Sequence, residues 1–98
     1  MREVRKSAKA ERDLIDIWRY GYQQWGETEA YRYVRRIEEA LLRPRLRPGI
    51  GVDSSDMIPG LRRWRIGRHH IYYQVDADRL YVVRVLGSRQ DAPARLRE

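Results

Sequence analysis

The sequence predicts an α+β domain of order β-α-α-β-β-β, with a helical hairpin packed on one face of a small, mainly antiparallel sheet. Three observations predict it. Apolar residues recur at three- and four-residue spacing between Ala8 and Arg43. From Leu61 to Leu86 the pattern changes to alternation rich in β-branched and aromatic residues. The length, 98 residues, suits one core and no second, so residues 1–98 read as a single domain.

Arg2 to Lys6 reads as a short strand, and Ser7 as the N-cap of the helix that follows. From Ala8 to Trp25 an apolar stripe runs through Leu14, Ile15, Trp18, Tyr22 and Trp25, and Gly26 stands where a helix-ending glycine is expected. Thr28 to Arg43 forms the second helix, with Ala30, Tyr33, Val34, Ile37, Ala40 and Leu41 on its apolar side and Pro44 ending it. The short link makes the pair an antiparallel hairpin. Arg45 to Gly60, with its prolines, glycines and Asp53-Ser54-Ser55-Asp56, reads as a loop. Three strands follow: Leu61–Ile66, His69–Val75 and Leu80–Leu86, joined by turns at Gly67-Arg68 and Asp76-Ala77-Asp78. Gly87-Ser88 ends the sheet, and Arg89 to Glu98 reads as a polar tail.

Strand side chains alternate between faces. Trp64 and Ile66, then Ile71, Tyr73 and Val75, then Tyr81, Val83 and Val85 are expected to meet the helices. The opposite face then collects Arg63, Arg65, His70, Tyr72, Gln74 and Arg84, with Arg68 at a turn and Arg89 beyond the last strand. Trp18, Trp25 and Trp64 read as core or core-edge residues.

Composition narrows the partner. The net charge is +7, and apart from Lys6 and Lys9 all basic residues are arginines. Arginine's planar fork pairs with carboxylates and phosphates, so an acidic partner is implied: nucleic acid, an enzyme of nucleic acid, or an acidic peptide. The absence of cysteine points to a reducing compartment and removes thiol chemistry. A charged Met1-Arg2-Glu3-Val4-Arg5-Lys6 start is not a secretory signal, and no window suits a membrane span, so a cytoplasmic location is expected. Neither a metal site nor a cofactor is expected. His69 and His70 are strand neighbours pointing to opposite faces, and Gly49-Ile50-Gly51 opens no helix.

Four stretches carry a family resemblance. Ser7-Ala8-Lys9-Ala10-Glu11-Arg12-Asp13-Leu14-Ile15-Asp16-Ile17-Trp18 resembles the opening helix of the RelE/ParE toxins of bacterial type II toxin–antitoxin systems. Trp25-Gly26 with Ala30 and Tyr33 resembles the turn and second helix of the ParE branch. Gly60-Leu61-Arg62 and Gly67-Arg68-His69-His70-Ile71-Tyr72-Tyr73 resemble its sheet, and Val83-Arg84-Val85-Leu86-Gly87-Ser88-Arg89-Gln90-Asp91 its C-terminal signature. The resemblance implies a toxin neutralised by a ParD-like antitoxin, with operator DNA reached only indirectly through that antitoxin. In the ParE branch the implied target is DNA gyrase.

Two other readings stand beside it. The RelE branch implies a metal-independent endoribonuclease acting on ribosome-bound mRNA, for which Tyr72 and His70 among arginines are the motivating residues. RelE-type nucleases place a tyrosine or histidine near the C-terminus, and this chain has neither after Tyr81, which favours the gyrase branch and a toxin that is not an enzyme. The ParE signature commonly has a histidine after Val-Leu and a methionine after the arginine; Gly87 and Gln90 stand there, and they motivate the third reading, a non-toxic, degenerate binding module. For target contact the expected residues are Arg63, Arg65, Arg68, Arg84 and Arg89.

Overall fold

A computed structural model describes residues 2–98. Its elements are β1 (Glu3–Lys6), α1 (Ala8–Trp25), α2 (Glu27–Ala40), α3 (Leu42–Leu46), β2 (Val52–Asp53), β3 (Arg62–Ile66), β4 (His69–Val75), β5 (Arg79–Gly87) and α4 (Ala92–Leu96). The sheet has the order β1-β5-β4-β3-β2, with β1 parallel to β5 and the other pairs antiparallel. Helices pack on it as the α+β pattern predicts.

Ser7 caps α1 and ties it to the sheet. Its hydroxyl accepts from Ala10 N–H at 2.9 Å and donates to the Val83 carbonyl at 2.7 Å. Gly26, at φ 90°, turns the chain between α1 and α2, a conformation that a Cβ would resist. The helices approach closely because the crossing is built from small residues: Ala10 and Ala30 are buried, and a Cβ on Gly21 would sit 3.3 Å from the Ala30 Cα.

Pro44 does not end the second helix. The chain breaks earlier, at Leu41, and Pro44 lies in the first turn of α3, where a missing N–H costs no intrahelical bond. The segment read as a loop also holds more order than its composition suggests. Residues 48–50 form a 3-10 turn, and β2 adds a fifth strand beside β3. The buried Tyr73 organises this segment by donating to the Pro48 carbonyl at 2.6 Å and accepting Gly51 N–H at 3.1 Å.

Two cores sandwich the sheet. On the helix side, Ala10, Ile37 and Leu41 meet Ile71, Tyr73, Leu80, Val82 and Val85. On the far side, Leu61, Tyr72 and Leu86 are buried beneath Met57, Ile58, Ala92 and Leu96. The tail is therefore not merely polar. Asp91 caps α4 by accepting Ala94 N–H, and α4 lies against the sheet.

Strand β5 departs from simple alternation. Tyr72 pairs with Arg84 but Tyr73 with Val82, so a bulge sets an extra residue of β5 against β4. Leu80 and Val82 face the helices before the bulge and Val85 after it, whereas Val83 joins the far core and Tyr81 is 42% exposed. The expected helix-side set of Tyr81, Val83 and Val85 is thus corrected to Leu80, Val82 and Val85, because a bulge shifts the two-residue period.

Candidate basic binding site

Arg84 lies just past the bulge and pairs with Tyr72, on the face that alternation gives it. Strand β1 covers β5 only as far as Val82, so the edge beyond is free for α1 to approach. There Asp13 of α1 accepts Arg84 Nε at 2.8 Å, Arg84 Nη2 at 2.9 Å and Val85 N–H at 2.9 Å. Arg84 also donates to the Arg95 carbonyl at 2.7 Å and meets Glu98 at 3.3 Å. The Asp13 hydrogen bonds raise its pKa above the ordinary arginine value and outweigh the opposing effect of burial. With its side chain 10% exposed, Arg84 is an internal tie between α1, β5 and α4. The expectation that Arg84 lies on an open arginine face is corrected: the residue is enclosed by groups that its own fold supplies.

The other four arginines are differently placed. Arg63 and Arg65 pair with Tyr72 and His70 across β3 and β4, Arg63 partly covered and Arg65 exposed. Arg68 is exposed in the β3–β4 turn, and Arg89 in the turn after β5. Ser88 N–H donates to the Arg68 carbonyl at 2.8 Å, which joins those two turns at one end of the sheet. Among the described residues, none of Arg63, Arg65, Arg68 and Arg89 forms an ion pair. One end of the sheet thus carries Arg65, Arg68 and Arg89, with Arg63 two residues back along β3. Burial first, and then Arg63 and Arg65, push the His70 imidazole below its ordinary pKa.

Helix α2 holds this end of the sheet in shape through Tyr33. Its hydroxyl lies 2.6 Å from His69 Nδ1 and accepts Arg68 N–H at 3.3 Å. Gly67 is required beneath it: φ is 56°, and a Cβ there would stand 2.7 Å from the Tyr33 hydroxyl. Burial lowers the His69 pKa, which favours the neutral imidazole beside the phenol. Periodicity placed Tyr33 on an apolar stripe and gave no sign of this role. Asp13 was equally silent, a charged residue inside a helix whose partner lies 71 positions away.

Tyr72 and the departures at the C-terminal signature also take definite positions. Tyr72 is 4% exposed beneath the far core, and burial raises its pKa above the ordinary tyrosine value. Gly87 and Gln90 contact each other: Gly87 N–H donates to Gln90 Oε1 at 2.6 Å, and a Cβ on Gly87 would meet that oxygen at 3.3 Å. The two departures form one closed turn. Among the described residues no group of three or more His, Asp or Glu is placed to hold a metal, and no helix is long and apolar enough to cross a membrane.

A second surface lies on the helical hairpin. Helix α1 turns Leu14 and Ile17 inward and leaves Ile15, Trp18, Tyr22 and Trp25 outward, at 54, 37, 50 and 64% exposure. Trp18 stacks on Tyr22 with ring centroids 5.2 Å apart, and Tyr20 meets Trp25 edge-on at 5.9 Å. Trp18 and Trp25 are therefore surface residues rather than core; the core side of α1 is the strip one position away, carrying Ala10, Leu14, Ile17 and Gly21. Between the helices lies a groove of about 430 Å³ lined by Trp18, Tyr31, Val34, Arg35, Glu38 and Glu39. Contiguous exposed aromatics on a small domain mark an interaction site.

Comparison with known proteins gives the family and the fold. A family model described as the ParE toxin of the type II toxin–antitoxin system parDE matches residues 4–92. The chain is 34% identical over 96 residues to Toxin ParE1 of Caulobacter vibrioides, spanning 98% of this chain and 99% of that one. It is 34% identical over 91 residues to Toxin ParE1 of Mycobacterium tuberculosis, spanning 92% and 93%. Toxin ParE of Escherichia coli is 33% identical over 91 residues, spanning 92% of this chain and 88% of that protein. Among solved structures, one described as the chromosomal ParDE TA system from P. aeruginosa shares the fold, with a TM-score of 0.74, 19% identity, and coverage of 89% of this chain and 96% of the other.

Proposed function

The chain belongs to the ParE toxin family of type II toxin–antitoxin systems, and from that premise we propose that it acts by binding DNA gyrase through the arginine end of its sheet. It is the toxin half of a pair, and an antitoxin is its partner. The observation that carries the gyrase reading is the position of Arg65, Arg68 and Arg89 at one end of the sheet, with Arg63 two residues back along β3, free of acidic partners among the described residues. Such a cluster fits carboxylates or phosphates through charge-assisted, paired hydrogen bonds. Gyrase, whose working surface includes bound DNA, offers both, and its location places the action in the cytoplasm.

Burial of Tyr72 supports a binding role over RNA cleavage, because a ring only 4% exposed, in the far core with Leu61 and Leu86, presents little of itself to a substrate. The mutual contact of Gly87 and Gln90 supports an intact C-terminal turn over a degenerate one. The antitoxin, in this reading, covers the aromatic stripe Ile15-Trp18-Tyr22-Trp25 and its groove, an apolar helix face suited to an amphipathic segment.

Supercoiling by purified gyrase tests the target. The wild-type chain is expected to block it, and Arg65→Ala/Arg68→Ala to weaken inhibition by about tenfold or more, as expected from losing two charge-assisted contacts. No inhibition and no trapped cleavage complex at high toxin concentration would refute the gyrase reading. New codon-aligned mRNA ends on expression would favour the endoribonuclease instead.

A further inference from the structure

The turn between β3 and β4 leaves Arg68 unheld by its own hairpin. Ile66 pairs with His69, and of the two residues between them only Gly67 takes a positive φ, as in a type II′ hairpin. Neither the N–H nor the carbonyl of Arg68 has a partner within that ladder. Both are held from outside it. The N–H donates to the Tyr33 hydroxyl at 3.3 Å, and the carbonyl accepts Ser88 N–H at 2.8 Å. Arg65 Nε donates to the Gly67 carbonyl at 3.1 Å. One turn therefore links the exposed arginines of this end: Arg68 lies in it, Arg65 is bonded to it, and Arg89 follows the residue that clamps it.

Tyr33 has no need of its hydroxyl to fill its place in the core. The ring packs beside the helix-side core and beneath the Arg36 guanidinium, 5.8 Å from the centroid, and a phenylalanine ring would do both. The oxygen reaches past the core into the turn. A phenol has one hydrogen and two lone pairs, and three groups stand around this one: Arg68 N–H, His69 Nδ1 at 2.6 Å and the Ile66 carbonyl at 3.5 Å. Gly67 completes the fit, because a side chain there would collide with the same oxygen. One atom of α2 thus meets every residue of the turn from Ile66 to His69.

We propose that the Tyr33 hydroxyl is a positioning residue for target binding: by fixing the Gly67-Arg68 turn it sets how Arg65, Arg68 and Arg89 are presented to an acidic surface. This role rests on the reading that the arginine end of the sheet meets gyrase. Arginine side chains lose much freedom when they dock, and a backbone already fixed beneath them lowers that cost.

Tyr33→Phe removes the oxygen and leaves the ring. At a temperature where circular dichroism shows both chains folded, the variant should inhibit gyrase supercoiling about threefold to tenfold less, the range that one net hydrogen bond supplies. The same change made beside Arg68→Ala should weaken inhibition by less than about twofold, since the arginine being placed is gone. A hydroxyl that served stability alone would act equally in both backgrounds. Exchange of the Arg68 amide with solvent, followed by NMR, reads the positioning without any target, and should quicken in Tyr33→Phe. Inhibition equal to wild type, an equal loss with and without Arg68, or unchanged Arg68 exchange would each overturn the proposal. If the wild-type toxin leaves gyrase untouched, the target reading falls, and growth arrest on expression without antitoxin replaces supercoiling as the readout. Weaker arrest by Tyr33→Phe would then support the role of the hydroxyl, and equal arrest would overturn it.

Discussion

Asp13→Asn probes the contact that most separates this structure from its sequence. The substitution keeps the size of the side chain and one carbonyl acceptor but removes the counter-charge of Arg84. The two side chains are 10% and 12% exposed, so water cannot take the place of the carboxylate. Removing one partner of a buried pair costs about 3–5 kcal/mol. Arg84 retains the Arg95 carbonyl and the half-exposed Glu98, which offset part of that, leaving about 2–4 kcal/mol. In a domain of this length each kcal/mol lowers Tm by about 4–8 °C, so a fall of roughly 10–25 °C is expected. Thermal unfolding followed by far-ultraviolet circular dichroism measures it. Arg84→Met alone should also destabilise, and the double variant should lose less than the sum, with a coupling of about 1.5 kcal/mol or more. Below the unfolding range, gyrase inhibition per folded molecule should be unchanged in the Asp13→Asn variant. A Tm loss under about 4 °C, or strict additivity in the double variant, would refute the reasoning.

Three further outcomes follow from the geometry. Gly51→Ala should destabilise by about 1–3 kcal/mol in chemical denaturation, because its Cβ would overlap the Tyr73 hydroxyl and press on the Arg63 carbonyl, although φ at −70° suits any residue. Burial holds His69 below its ordinary pKa of 6.5, so the unfolded chain binds the proton more readily; stability should be full above that value and fall as pH drops through it, and His69→Gln should flatten that slope in Tm measured against pH. Trp25→Ala, at a side chain 64% exposed, should leave Tm nearly unchanged yet weaken antitoxin binding by about tenfold or more in calorimetric titration; equal binding by wild type and variant would remove Trp25 from that interface.

The order of the two long helices and the four longer strands was legible from periodicity, since each must turn an apolar side to a core, whereas the short α3, β2 and α4 were not, being too brief to show a period. Local chemistry was legible too: the Ser7 cap, the glycine at residue 26 and the Gly67-Arg68 turn all depend on near neighbours. What alternation could not supply was anything that depended on an added residue in a ladder. The bulge opposite Tyr72 and Tyr73 shifted the faces of the first half of β5, while Arg84 kept its expected face and was enclosed there by Asp13 from α1, 71 positions away, so one of five expected contact arginines became internal. Helix amphipathicity likewise named a stripe without saying which side of it was covered. Close contact at Gly21 and Ala30 rolls α1 so that Leu14 and Ile17 go in while Trp18 and Trp25 stay out. The sequence by itself determined the family, the order of the longer elements and a basic end to the sheet, because those are properties of composition and short-range pattern. Tertiary structure alone decided which arginines remain free to meet a partner, because a guanidinium is available only where the fold does not place a carboxylate within reach.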